Sequence, residues 1–190
     1  MKREHTLSIM VRNQPGVLTK IASVFYRHNY NIESLTVGKM HHLGLSKILI
    51  SVPIDDRDIE LLRRQIENLV DIKWAKLLDR NQSTMLEVCL LRLAYESPRE
   101  RRGIMATAQP YVPRIREVSD RSITLEVCES PELIDDFVET MMGQYEIFDL
   151  SRSGMTAMGP GLPPQKRDEE STVQYSERPR EYASHNYIRS

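Results

Sequence analysis

The loop and helix start on which the fold depends read Asn13-Gln14-Pro15-Gly16-Val17-Leu18. Pro15 fixes its own φ and suits the opening of a helix, while Gly16 lacks a Cβ and lets another molecule approach the backbone. The first amides of a helix have no intrahelical partner, and the helix dipole makes that end slightly positive. The stretch therefore predicts a site for a small carboxylate such as an amino acid, without any catalytic group.

The residues around this loop predict a split βαβ unit. Apolar residues alternate in the strands and recur at helical spacing in the helices. The elements are a strand at 5–12, a helix at 16–28, strands at 30–39 and 45–54 around a hairpin loop at 41–44, a helix after Asp55-Asp56, and a strand at 70–78. This order gives a four-stranded antiparallel sheet with both helices on one face. The other face and the edges are expected to be uncovered, and pairing with another copy is the expected remedy.

The second half repeats the same order of elements. Ser97-Pro98 and Ser130-Pro131 predict two capped helix starts, and Gly143 is expected to end the second of these helices. Strands are predicted at 85–95, 112–118, 122–128 and 145–150. The predicted fold class is therefore α+β, with two tandem ferredoxin-like βαββαβ domains. We expect the domains at 1–80 and 81–158, followed by a flexible tail rich in proline and charge at 159–190.

Composition narrows the class of protein. The 190 residues include 26 basic and 27 acidic side chains, so no global field favours nucleic acid or an anionic membrane. The chain shows neither an apolar run of about 18 residues nor a signal-peptide pattern, and a cytoplasmic location is expected. Cys89 and Cys128 stand in apolar strand-like runs, which predicts that both are buried and reduced.

Three polar clusters have a functional and a structural interpretation. His41-His42 is a poor metal cage because it lacks a nearby cysteine or carboxylate. Three arginines predict a solvated helix face more readily than an anion patch, and three acids fall in the first turns of a helix, where the dipole favours them. The arginines are Arg99, Arg101 and Arg102, and the acids are Asp135, Asp136 and Glu139.

Two further classes of function find little support in the residues. RNA-binding sheets of the same order stack bases on aromatic side chains of their central strands, and residues 45–53 contain no aromatic side chain. The sequence also lacks a nucleophile–base arrangement, a zinc-protease helix, a Walker loop and a glycine-rich dinucleotide motif. No catalytic or metal-binding residue is predicted.

At two motifs the chain resembles a known family. Residues 13–18, together with Tyr30-Asn31-Ile32-Glu33-Ser34-Leu35-Thr36-Val37, resemble the ACT domain of the regulatory (small) subunit of acetolactate synthase, also called acetohydroxyacid synthase. The resemblance covers about residues 4–80. In residues 81–158, where the family has a second ferredoxin-like domain, Ser151-Arg152-Ser153-Gly154-Met155 is similar to the close of that domain. The strand from Met85 departs from the family's usual acidic-Leu start.

The resemblance implies a subunit that is not an enzyme by itself. Its partner is the catalytic large subunit, a thiamine-diphosphate-dependent transferase that also carries FAD and Mg²⁺ and joins pyruvate to pyruvate or to 2-oxobutyrate. The small subunit raises that activity in valine, leucine and isoleucine biosynthesis. It also imposes feedback inhibition by branched-chain amino acids, usually valine. Two ACT domains form a homodimer, and the effector binds at their interface.

The resemblance also assigns effector-binding residues. Asn13, Gly16, Val17 and Leu18 would form the loop that holds the effector's carboxylate through backbone amides. Asn31 of the partner copy would bind the polar end of the effector. Thr36 and Gly38 would lie beside it.

Two other interpretations remain open. The chain is alternatively a free-standing ACT-type amino-acid sensor that regulates another enzyme, or an interaction scaffold whose ligand site has decayed. Contacts with a large subunit are expected on the uncovered face of the first sheet and on the second domain.

Overall fold

The computed structural model describes residues 3–40 and 44–160. The predicted His41-His42 loop and the predicted tail from 161 onward lie outside the described residues. The first half contains β1 (Arg3–Arg12), α1 (Val17–Arg27), β2 (Ser34–Met40), β3 (Leu45–Ile54), α2 (Asp56–Glu67) and β4 (Ile72–Leu78). The second half contains β5 (Thr84–Ala94), α3 (Pro98–Ala108), β6 (Arg114–Val118), β7 (Ser122–Glu129), α4 (Pro131–Met142), β8 (Ile147–Arg152) and β9 (Thr156–Met158).

The first four strands form an antiparallel sheet in the order β2-β3-β1-β4. Strand alternation directs every second residue toward the helices. The apolar stripes of α1 and α2 cover that face, and together they close a core that includes Leu7, Ile9, Ile21, Phe25, Ile48, Ile50, Ile59, Leu62 and Ile66. This is the predicted split βαβ unit.

The second half repeats this topology in the order β6-β7-β5-β8. Its core packs α3 and α4 against the alternate residues of β5 and β7. Both predicted helix starts are capped as expected: Glu100 donates its amide to Ser97 Oγ at 3.2 Å, and Leu133 donates to Ser130 Oγ at 3.4 Å. The predicted α+β class with two ferredoxin-like units is confirmed, while the boundaries at 80 and 158 stay a prediction.

The expectation that the other face of the first sheet is uncovered is wrong. After β8 the chain turns at Gly154 and forms β9, which pairs with the first residues of β5. We call residues 153–158 the strap. Met155 and Ala157 of the strap pack against Leu49 on the outer face of the first sheet, and Met85 of β5 packs against this cluster. The strap therefore takes part of the surface on which a large-subunit contact was expected.

Three local expectations also differ from the structure. Cys89 is buried as predicted, but Cys128 is exposed, because the β5–β7 register places it opposite Val88, on the face of the sheet away from the helices. The second strand begins at Ser34 instead of residue 30, and β6 begins two residues after Val112, whose φ of 53° is left-handed. None of the helices in the described part of the chain is long and apolar enough to cross a membrane.

Candidate functional site

The predicted loop leaves β1 and turns into α1 as expected. Asn13 donates its amide to the carbonyl of Gly44 at 2.9 Å, and Gln14 donates to that of Arg12 at 2.9 Å. Gly16 then forms the N-cap of α1 with φ 83°, a conformation that glycine adopts without the penalty a Cβ brings. A Cβ built on Gly16 meets no heavy atom within 4 Å, so the surface beside this residue is open.

The start of α1 differs from those of the other helices in how its amides are satisfied. Ser97 and Ser130 cap α3 and α4, and α2 has Asp56 and Asp58 in its first turn. Helix α1 has neither a side-chain cap nor an acidic residue in its first turn. Within residues 3–40 and 44–160, the amides of Leu18 and Thr19 meet no hydrogen-bond acceptor. These amides and the helix dipole favour an external anion at this end of α1.

An ion pair that sequence reasoning missed holds the loop in place. Lys20 Nζ lies 2.6 Å from Asp71 Oδ2, and the Asp71 side chain is only 10% exposed. The carbonyl of Asp71 accepts the amide of Arg12 at 2.9 Å. Asp71 therefore fixes both the end of β1 and the first turn of α1. In the sequence, the only sign of this role is that Asp71, a charged residue, directly precedes the apolar strand β4.

The predicted loop residues lie together in the structure, while Asn31 lies elsewhere. Val17 is buried in the first core, and Leu18 is 41% exposed next to it in the chain. Asn31 precedes β2, and its side-chain amide donates to Glu33 Oε1 at 3.0 Å. The loop lies near the other end of β2, because Gly44 precedes β3 and Met40 pairs with Leu45. At about 3.3 Å per residue, the length of β2 puts the two groups about 20 Å apart within one chain.

Thr36 and Gly38 face the outer side of the first sheet. Their cross-strand partners are Leu49 and Lys47, and residues directly opposite in a sheet share a face. The ammonium of Lys47 donates a hydrogen bond from Nζ to the carbonyl of Ala157 in the strap at 2.5 Å. Burial lowers the pKa of this ammonium. Thr36 lies against Gly154. Two predicted effector residues thus lie on the strap side of β2.

A cleft of about 710 Å³ separates β2 from the second domain. Four carboxylates line it, from Glu4, Glu33, Glu87 and Asp135, together with the guanidinium of Arg152. Arg152 is already engaged, since it donates to both oxygens of Glu87 at 3.0 and 2.7 Å and to Asp135 at 2.6 Å. The hydrogen bonds to Glu87 raise the pKa of Arg152 further. This excess of negative charge does not suit a carboxylate ligand, which fits the start of α1 better.

Two of the acids singled out on α4 have structural partners. Asp135 pairs with Arg152, and Asp136 accepts a hydrogen bond from the Tyr111 hydroxyl at 2.6 Å. That hydrogen bond raises the pKa of Tyr111. In the described ranges, three or more His, Cys, Asp or Glu side chains nowhere come together as a metal site.

Comparison with known proteins decides the family. A family model of the AHAS small subunit-like ACT domain matches residues 7–73, and a model of the small subunit of acetolactate synthase matches residues 86–161. The probable acetolactate synthase small subunit of Methanothermobacter thermautotrophicus is 33% identical over 83% of this chain and 93% of its own. The probable acetolactate synthase small subunit of Archaeoglobus fulgidus is 36% identical over 82% of this chain and 96% of its own. The chain belongs to the acetolactate synthase small subunit family.

A solved structure agrees with this assignment. The crystal structure of the acetolactate synthase small subunit from Thermotoga maritima superimposes with a TM-score of 0.75 at 27% identity, over 85% of this chain and 99% of that one. As a member of this family, the chain carries an ACT domain, and the matched range includes residues 13–18. The strap also lies within the range that the second family model matches.

Proposed function

We propose that this chain is the regulatory subunit that activates the catalytic large subunit of acetolactate synthase and confers feedback inhibition by branched-chain amino acids, with valine as the first candidate. Family membership supports the pairing with a large subunit. Thiamine diphosphate, FAD and Mg²⁺ belong, in this proposal, to the large subunit. The small subunit contributes no catalytic group and acts on the large subunit through effector binding and a change of conformation.

The uncapped start of α1 carries the proposal. The effector's carboxylate accepts hydrogen bonds from the free amides of Leu18 and Thr19, beside Asn13 and Gly16. Hydrogen bonds from backbone amides to a carboxylate are charge-assisted, and they are stronger than those between neutral groups. The exposed Leu18 offers apolar surface to a branched side chain next to this carboxylate site.

A second copy of the chain completes the site in this proposal. Strand β2 is an edge of the first sheet, and its Leu35 and Val37 are 40% and 51% exposed. Two β2 edges that pair antiparallel about a twofold axis bring the start of one strand next to the end of the other. Asn31 of the partner copy then reaches the loop of this chain, from which its own Asn31 is separated by the length of β2. Thr36 and Gly38 line the same strand.

Calorimetric titration of the complex with its large subunit tests the proposal. Valine, leucine and isoleucine are titrated separately into the complex that contains the unmodified chain, Gly16→Asp or Gly16→Ala. Both variants share the strain of φ 83°, but only aspartate adds a negative charge at the carboxylate position. We expect Gly16→Asp to abolish binding of the amino acid and feedback inhibition, while activation of the large subunit remains. Gly16→Ala is expected to retain binding of the amino acid. Equal inhibition of the unmodified and Gly16→Asp complexes would show that the site is elsewhere.

A further inference from the structure

Strand β2 approaches the second domain closely where Ser34, Leu35 and Thr36 lie beside Gly154. We propose that this contact transmits effector binding from the first domain to the second, an inference that rests on the effector site proposed above. In this arrangement β2 has two sides. Its edge pairs with the second copy next to the effector loop, and its outer face contacts the strap.

The approach of Gly154 to β2 leaves no room for a side chain. A Cβ on Gly154 would lie 2.7 Å from Thr36 Oγ1 and 3.4 Å from Ser34 Oγ. Gly154 also has φ +71°, so the turn itself favours glycine. Thr36 Oγ1 is buried without a hydrogen-bond partner in the described part of the chain. The contact is therefore steric, and a shift of Thr36 toward the strap must displace Gly154 because packed atoms do not interpenetrate.

Gly154 is held to the second domain on its N-terminal side. Ser153 donates its amide to the carbonyl of Val88 at 2.9 Å, and its Oγ accepts the amide of Val88 at 3.1 Å. The same hydroxyl oxygen lies 2.7 Å from the carbonyl of Gly154, to which it donates. These bonds make Ser153 a fixed joint between β5 and the strap. A displacement of Gly154 consequently reaches β5.

The preceding residue extends the connection to a helix. Arg152 holds the 7% exposed Glu87 side chain of β5 on one side and Asp135 of α4 on the other. Both interactions are charge-assisted, and that to Glu87 is bidentate. Three consecutive residues, Arg152 to Gly154, thus join α4, β5 and β2.

The other end of the strap is attached to the first sheet, so the strap cannot simply lift away. Met155 and Ala157 are 4% and 6% exposed, and Lys47 binds the carbonyl of Ala157. Because both ends are fixed, a displacement of Gly154 by Thr36 is passed to the neighbouring residues of the strap and is not lost by the strap lifting away. An effector regulates the large subunit through this contact only to the extent that it binds one position of β2 more tightly than the other.

Hydrogen exchange on the unmodified complex gives the first test. Amide exchange is measured in the complex of the full chain with its large subunit, with and without saturating valine. We expect valine to slow exchange at residues 16–19 and to change exchange at residues 152–157 as well. Protection of the loop with unchanged exchange in the strap would overturn the inference while leaving the proposed function standing.

Two variants of the joint give the second test. Gly154→Ala forces a Cβ against Thr36, while Ser153→Ala loosens the joint without steric strain, because it removes the two hydrogen bonds of the hydroxyl and keeps the backbone bond to Val88. Gly143→Ala is the matched control, since its Cβ would make ordinary contacts of 3.5 Å or more and its φ is −70°. We expect both joint variants to raise the valine concentration for half-inhibition by at least about fivefold, the lower end of typical allosteric couplings. Activation without valine, which also reports folding, is expected to match that of the control.

The outcomes separate the two proposals. Failure of the unmodified complex to bind valine, leucine or isoleucine overturns the proposed function and this inference with it. Binding at the loop with half-inhibition unchanged in both joint variants overturns the inference alone. Weaker inhibition in both variants, with the control unaffected, supports the transmission through Gly154.

Discussion

The ammonium of Lys20 lies 2.6 Å from Oδ2 of Asp71, and this ion pair joins the first turn of α1 to the start of β4. The pair is asymmetric, since Lys20 is 55% exposed and Asp71 only 10%. The buried partner also receives the end of β1 through its main chain. The loop with the free amides is therefore held at both of its ends by one residue.

Asp71→Asn is expected to weaken effector binding. The amide side chain keeps the shape of aspartate but removes the charge that holds Lys20, so the loop loses one of its two attachments. Loss of a hydrogen bond to a charged group costs about 1.5–3 kcal/mol. Because Lys20 is 55% exposed, the lower figure applies, which corresponds to an affinity change on the order of tenfold. Calorimetry with valine measures this effect. Arg64→Gln, which breaks a pair whose side chains are 70% and 40% exposed, serves as control. Unchanged affinity in Asp71→Asn would exclude the positioning role.

Val37→Lys is expected to separate the proposed dimer. Val37 lies on the exposed edge β2, where a lysine in each copy brings like charges together at the pairing surface. Sedimentation velocity should show a smaller species than the unmodified chain, and effector binding should fall because Asn31 of the partner copy is lost. Val118→Lys is a matched control, since Val118 is 46% exposed on β6, an edge of the second sheet. A dimeric Val37→Lys would refute pairing through β2.

The stability of α2 is expected to depend on pH through Glu60. Hydrogen bonds from Arg63, at 2.6 and 2.9 Å, and a further one from Arg64 lower the pKa of Glu60 to about 2 from 4.5. Because the folded pKa is depressed, the stabilisation is fully present above pH 4.5 and is lost as the pH falls toward 2. Glu60 is 40% exposed, so solvent screening keeps the effect below about 1 kcal/mol.

Thermal unfolding of Glu60→Gln measures this contribution. Its Tm is expected to lie below that of the unmodified chain at pH 7 and to converge with it near pH 2. Glu139→Gln, on the opposite domain, is the control for a general loss of negative charge. A Tm difference that persists undiminished at pH 2 would contradict the assignment to Glu60 ionisation.

The two cysteines are expected to differ in reactivity. Burial raises the pKa of Cys89 to about 11, so this thiol is protonated and shielded at neutral pH. Cys128 is exposed on the open face of the second sheet. A thiol reagent should therefore modify Cys128 rapidly in the native chain and Cys89 only on unfolding. Rapid modification of a Cys128→Ser variant would contradict this difference.

The sequence predicts the regular elements because their signals are local. The apolar stripes of α1 and α2 and the Ser97 and Ser130 caps each lie within a few residues, and all are found. The loop at Gly16 is also local, and its geometry matches the prediction. Strand β9 escaped prediction because three residues are too few to show a period.

What the sequence could not show depends on register and on distant contacts. Cys128 stands in an apolar run, but the β5–β7 register decides which face it occupies. The 51-residue separation of Lys20 and Asp71 hides their pairing, and Gly154 gives no sign of its approach to Thr36. The proposed effector residues on the loop can be found in the sequence, whereas the contacts that hold the loop in place can be found only in the fold.

The strap limits how this protein can be divided. Thr6, Met10 and Leu49 lie at 1%, 4% and 5% exposure on the outer face of the first sheet, opposite the face that α1 and α2 cover. An excised ACT domain would expose the Leu49 side of this surface to water and would be prone to aggregate. Chimaeras that exchange ACT domains between relatives should accordingly take Met155 and Ala157 from the same parent as Leu49. A division of the chain that preserves folding must therefore keep the strap with the first sheet, on which it packs, and cannot be placed only at the linker between the two sheets.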